Sequence, residues 1–145
     1  MEIKSNSFKE NCYIPSKYTC QGDDINPSLI IRDIPKNTKS LAIIVDDPDA
    51  PQKTFVHWII WNIKPQKEIK ESFFSANTSS GINDFGVNKY KGPCPPNGVH
   101  RYFFKVYALN KMLDLNQETN KKDLEDAMQN HIIQKAQIMG IYKKE

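Results

Sequence analysis

The chain has 145 residues, 39% of them apolar and 26% charged, with 20 Lys+Arg against 17 Asp+Glu for a net charge of +3. That length fits one domain spanning residues 1–145, able to bury roughly 68–70% of its unfolded surface around one core. The mild excess of scattered lysine, with Arg32 and Arg101 the only arginines, argues against a nucleic-acid partner, and no apolar run approaches the roughly 20 residues of a membrane span.

Taken in chain order, Ile3–Phe8 and Ser28–Arg32 are weak strand candidates. Leu41-Ala42-Ile43-Ile44-Val45 is a continuous apolar, β-branched run bounded by turn residues, the pattern of a strand buried on both faces. Thr54–Ile63 is a second strand. Asn77–Ile82 and the Asn83-Asp84-Phe85-Gly86 stretch read as a surface excursion. His100–Leu109 is a third strong strand, rich in aromatics. Prolines gather in the connections, which suits a mainly β body with stiff loops. From Asn120 the period changes. Leu124, Met128, His131, Lys135 and Ile138 recur at helical spacing, with Asn120 or Thr119 as cap and Gly140 as stop, so a C-terminal amphipathic helix is expected. His131 would sit on its buried stripe as a structural histidine.

The three cysteines, Cys12, Cys20 and Cys94, make an odd count without a CxxC pair. Reduced thiols in a cytoplasmic setting follow as the default, with a Cys12–Cys20 bridge the one pairing considered. The N-terminus, Met1 to Phe8, lacks the apolar stretch of a signal peptide.

Chemistry is concentrated in two strands and two turns. Strict alternation puts His57, Ile59 and Trp61 on one side of their strand and Trp58 on the other. It also puts His100, Tyr102 and Phe104 on one side of theirs, with Arg101 and Phe103 opposite. Strand Leu41–Val45 runs into Asp46-Asp47-Pro48-Asp49-Ala50-Pro51, where Asp47 and Asp49, two apart, can face the same way while Pro48 and Pro51 fix the backbone. Pro93, Pro95 and Pro96 stiffen the approach to His100 in the same manner. Two proline-locked turns feeding strands that carry His, Asp and Tyr suggest one pocket at a sheet edge. Arg101 is expected to bond a carboxylate or carbonyl, and Asp46 to close its own turn.

Together, Asp46-Asp47-Pro48-Asp49-Ala50-Pro51, Phe55-Val56-His57-Trp58, Gly92-Pro93-Cys94-Pro95-Pro96 and His100-Arg101-Tyr102 resemble the phosphatidylethanolamine-binding protein family. The closer likeness is to its short bacterial and archaeal branch, the Raf kinase inhibitor-like proteins. Tyr18-Thr19-Cys20, Asn83 to Gly86 and Met139-Gly140 extend it along nearly the whole chain. The resemblance implies an antiparallel β-sandwich with a small cavity for anions such as phosphate, phosphoryl head groups or acetate. Carried across, the ligand-binding residues are Asp47, Asp49, His57, Gly92, Pro93, His100 and Tyr102. It further implies a cis Ala50–Pro51 bond and a homodimer. The chain stops five residues past Gly140, without the longer C-terminal segment of eukaryotic relatives.

Anion binding by a site with two carboxylates requires protons. With both imidazoles charged the site is neutral, and their N–H groups, the Tyr102 hydroxyl and backbone N–H groups around Gly92 act as donors. Affinity should then rise as pH falls through the histidine range. No cofactor is implied. The role expected is a binding or regulatory protein, with a kinase or protease as possible partner, and not an enzyme. The alternative is a hydrolase using the His/Asp pocket, with Cys94 as nucleophile or with a bound metal.

Overall fold

The computed structural model describes residues 1–145. Its elements are β1 (Glu2–Lys4), a 3-10 turn at Ser16–Tyr18, β2 (Leu29–Arg32), β3 (Ser40–Asp47), β4 (Phe55–Ile63), β5 (Glu68–Ile69), β6 (Ser79–Ser80), β7 (Val99–Leu109), α1 (Lys121–Met128) and β8 (Ile132–Lys143). A small sheet has the order β1-β2-β5 and a large one β6-β4-β3-β7-β8, and every strand pairing is antiparallel.

β3 is buried at every position because both faces of the large sheet are covered. Leu41, Ile43 and Val45 join Trp58, Ile60, Tyr102 and Phe104 in a core closed by Ile3, Leu29, Ile31 and Ile69 of the small sheet. Ala42 and Ile44 face the other way, with Ile59, Trp61, Tyr107 and Leu109, against Leu124 and Met128 of α1. Each fully buried side chain of this size contributes roughly 1.5–3 kcal/mol, so the helix and the small sheet are held on by the alternation of the central strands. Asp46 does not close its own turn. It is buried on the helix side, where Lys105 (3.0 Å) and Lys121 (2.7 Å) neutralise it and tie β7 and α1 to β3.

The C-terminal helix is shorter than its periodicity suggests. Asn120 does cap it, in a capping box with Asp123, but the helix ends at Met128. Gln129 is extended and Asn130 sits at φ 70°, which turns the chain back. Ile132–Lys143 then pairs along β7 as a long edge strand. Its inward residues Ala136, Ile138, Gly140 and Tyr142 recur at period two, and Ile138 satisfies both periods. The β-branched isoleucines and eleven partners on β7 decide for the strand. His131 therefore lies in the turn, half-buried, with Nδ1 3.1 Å from Asn110 Oδ1. Gly140 is no helix stop: a Cβ there would lie 2.5 Å from Ile14 Cγ1 and 2.8 Å from Phe8 Cε2.

Two further expectations are corrected. Cys20 and Cys94, 74 positions apart, form a disulfide, and Cys12 is the free, exposed thiol. The pairing escapes sequence spacing because it depends on two loops packed together: Tyr90 Oη donates to the Tyr18 carbonyl (2.7 Å) and Cys20 N–H to the Pro93 carbonyl (3.1 Å). All peptide bonds are trans, Ala50–Pro51 included. Pro51 lies in an exposed bend and takes the trans isomer, the lower in energy for an X–Pro bond. No helix is long and apolar enough to cross a membrane, and the reduced-thiol argument for a cytoplasmic setting falls with the disulfide.

Candidate functional site

A β-bulge places the first histidine. β3 and β4 pair Val45 with Trp58 and Asp46 with Val56, so His57 is the extra residue between them. Val56 packs on the helix side with Ile59 and Trp61, whereas Trp58 and Ile60 face the small sheet. His57 is thus lifted off the Ile59/Trp61 face, where strict alternation had put it, and turned towards Tyr102, with ring centroids 5.3 Å apart. Bulges next to functional sites commonly re-aim a side chain in this way. His100, Tyr102 and Phe104 share a face as expected, and His100 stacks on Tyr102 at 6.5 Å.

His57, His100 and Tyr102 line one cavity of about 250 Å³, together with Asp47, Ala50, Pro51, Phe55, Phe85, Cys94, Pro95 and Pro96. Its floor is polar and its walls are apolar. Asp47 is acceptor on both oxygens: Oδ1 takes the Asp49 N–H (2.8 Å) and Oδ2 the His100 Nδ1–H (2.7 Å). His57 Nδ1 lies 2.7 Å from the Lys91 carbonyl, and because a carbonyl only accepts, that nitrogen carries the hydrogen. Both imidazoles are therefore anchored through Nδ1, leaving Nε2 for the cavity.

Burial among Phe55, Phe85 and Tyr102 lowers the pKa of His57, against a smaller upward pull from the Lys91 carbonyl and the Asp47 carboxylate. His57 is neutral at pH 7, which corrects the doubly charged pair expected from the sequence. Burial, reinforced by the Asp47 charge, raises the pKa of Tyr102, so its hydroxyl stays a donor.

Asp49, Gly92 and Pro93 stand outside the cavity lining. Asp49 forms a two-pronged pair with Arg101 (2.9 and 2.8 Å) and accepts the Arg101 backbone N–H, which holds its carboxyl below the usual range. It faces away from Asp47 because Arg101 alternates with His100 on β7. The Gly92 N–H is spent on Asp24 Oδ1 (2.7 Å), and a Cβ at Gly92 would overlap the Tyr18 carbonyl. Pro93 accepts from Cys20. Gly92 and Pro93 thus position the wall and leave no backbone donor of Gly92 for an anion. Cys94 lines the cavity as a disulfide sulfur, which removes it as a nucleophile. No group of three or more His, Cys, Asp or Glu has the geometry to hold a metal.

Comparison with known proteins locates this arrangement. The family model described as phosphatidylethanolamine-binding protein matches residues 4–143. The chain belongs to that family. Within the family it is similar to the UPF0098 protein of Pyrococcus horikoshii, 49% identical over 99% of this chain and 78% of the relative. It also resembles the UPF0098 protein of Methanothermobacter thermautotrophicus, 43% identical over 99% of each. Among solved structures, the family homologue CT736 of Chlamydia trachomatis superposes with a TM-score of 0.94 at 38% identity, covering 99% of this chain and 97% of that one. Escherichia coli YbcL, described as a member of the mammalian family, superposes at 0.92 with 27% identity, covering 99% and 98%.

Phe55, Phe85, Pro51, Pro95 and Pro96 line the cavity although none is among the ligand-binding residues expected from the sequence, where the prolines figure only as stiffeners of the turns. A signal for Phe85 existed: an aromatic between Asn-Asp and Gly is unusual on a surface excursion. Asn83 explains it, donating to the carbonyls of His57 (3.0 Å) and Lys89 (2.8 Å) and accepting from the N–H groups of Phe85 and Val87. That knot folds the loop back so that Phe85 roofs the cavity.

Proposed function

We propose that this family member is a binding or regulatory protein whose cavity takes a small anion, phosphate or a phosphoryl group, on His57, His100, Tyr102 and Asp47. The observation that carries this reading is the pair of imidazoles, each fixed through Nδ1 and each offering Nε2 to the same 250 Å³ space. In it, the His100 ring, held from behind by the Asp47 carboxylate, faces the anion beside the Tyr102 hydroxyl, which is an uncharged donor. The apolar walls exclude water and strengthen both interactions. The aspartate orients its histidine from behind, as carboxylates do behind metal-bound imidazoles.

The test is calorimetric titration with inorganic phosphate at several pH values. Affinity should increase as pH falls from about 8 to 6, across the histidine range, and His100→Ala should weaken it at least tenfold. Affinity that is flat or rises with pH, or that survives both His57→Ala and His100→Ala, would overturn the assignment. The family resemblance extends the proposal to a homodimer, which light scattering on a sizing column reads directly, and a kinase or protease remains the class of partner such a regulator would contact.

A further inference from the structure

The two imidazoles present an anion with a difficulty that fixes its chemistry. Each Nδ1 is committed as a donor, His57 to the Lys91 carbonyl and His100 to Asp47, so each Nε2 carries a lone pair unless its ring is protonated. His100 has the Asp47 carboxylate behind it. His57 has a backbone carbonyl behind it and three aromatic rings around it, at centroid distances of 5.3 to 5.4 Å. The two anchors therefore differ in kind, a carboxylate for His100 and a neutral carbonyl for His57.

An oxyanion brought into this space meets the Tyr102 hydroxyl as a donor and the His57 Nε2 lone pair as an acceptor. If every ligand oxygen is a bare acceptor, the lone pair of His57 Nε2 faces another lone pair in an enclosed, mostly apolar cavity. If the ligand carries an O–H, the same nitrogen becomes a hydrogen-bond acceptor with a partner. Sites built to bond a ligand hydroxyl reject analogues that lack it strongly, because the buried polar group is left without a partner.

We propose that His57 makes the cavity select oxyanions that carry their own proton: phosphate and phosphate monoesters are bound, while sulfate and phosphodiesters are refused. This rests on the anion-site reading and names the ligand class within it. Phosphate monoesters qualify because their second ionisation falls at about pH 6, so the protonated form is readily reached near neutrality. Sulfate has the same shape and no proton at that pH. A phosphodiester, which includes the head-group linkage of ordinary phospholipids, has none either. The acids around His57 pull a proton towards its ring, and burial outweighs them. Asp47 at the end of β3 and Asp24 beyond Lys91 are acids, Lys91 is already paired with Asp24 at 3.0 Å, and His100 and Tyr102 of β7 complete the set.

The experiment is calorimetric titration at pH 7 and constant ionic strength with four probes: inorganic phosphate, sulfate, methyl phosphate and dimethyl phosphate. Phosphate should bind at least tenfold tighter than sulfate, and methyl phosphate at least tenfold tighter than dimethyl phosphate. His57→Gln puts at this site an amide that can turn to donate, so it should bring phosphate and sulfate within about threefold of each other while both still bind. Should that variant fail to fold, the two wild-type ratios decide alone. Sulfate within threefold of phosphate on the wild-type protein overturns the selection and leaves the anion site standing. No binding of any of the four probes overturns the anion site and the selection with it.

Discussion

Cutting the Cys20–Cys94 bond should cost the protein a large part of its stability. The half-cystines are 74 positions apart, and closing a loop of that length removes chain entropy worth about 4.5 kcal/mol from the unfolded state at 25 °C, a ceiling from which native bonds deliver roughly 2–4 kcal/mol. For a chain of this length a loss of that size lowers Tm by roughly 7–15 °C. The assay is urea or thermal unfolding with and without a thiol reductant, repeated on Cys94→Ser. Alkylation supplies the internal control: one thiol, Cys12, should react in the unreduced protein and all three after reduction. Three reactive thiols before reduction would refute the pairing. Coincident unfolding curves, after alkylation has shown the bond cut, would refute the loop-entropy argument and leave the Tyr18–Tyr90 and Cys20–Pro93 contacts to hold the loops unaided.

Two further outcomes are expected. His57 is buried and neutral in the native state with a lowered pKa, whereas the unfolded chain protonates it below about 6.5, the ordinary imidazole value. The unfolded state therefore binds the extra proton, and stability is full above that pH and is lost as pH falls through it towards the native value, by at most about 1.4 kcal/mol per pH unit. His57→Gln should flatten that slope relative to wild type in denaturant melts between pH 5 and 7.5, and parallel slopes would contradict it. Gly140→Ala forces a methyl group to within 2.5 Å of Ile14 Cγ1 and 2.8 Å of Phe8 Cε2. An overpacking cost of roughly 1–3 kcal/mol should appear in the unfolding midpoint, and an unchanged or raised midpoint would show that the N-terminal segment yields freely.

The central strands and the pairing of His100 with Tyr102 were legible from the sequence because they obey simple alternation. The apolar run of β3 and the aromatic run of β7 state their own burial. Four features were not legible, each for a reason of geometry. The side of β4 that carries His57 is set by one unpaired residue in the ladder, which a list of side chains does not display. The last quarter of the chain satisfies helical and strand periods together, and only the long register with β7 separates them. Asp49 was drawn away from Asp47 by Arg101, a neighbour 52 positions distant. The disulfide likewise depends on contact between loops that no spacing rule connects.

The unpaired residue in β4 has a consequence for how this chain tolerates change. Upstream of it, odd positions such as Phe55 look towards the ligand side; downstream, even positions such as Trp58 and Ile60 look towards the interior on that same side. Substitutions at any of these sites retune what the neighbouring surface offers while preserving this frame. Loss of His57, the one residue between Val56 and Trp58, would leave Asp46 opposite Val56 and Val45 opposite Trp58 in a regular ladder, so both core faces would keep their side chains while the cavity lost an imidazole. The extra residue is one the sheet carries for the cavity and does not need for its own pairing.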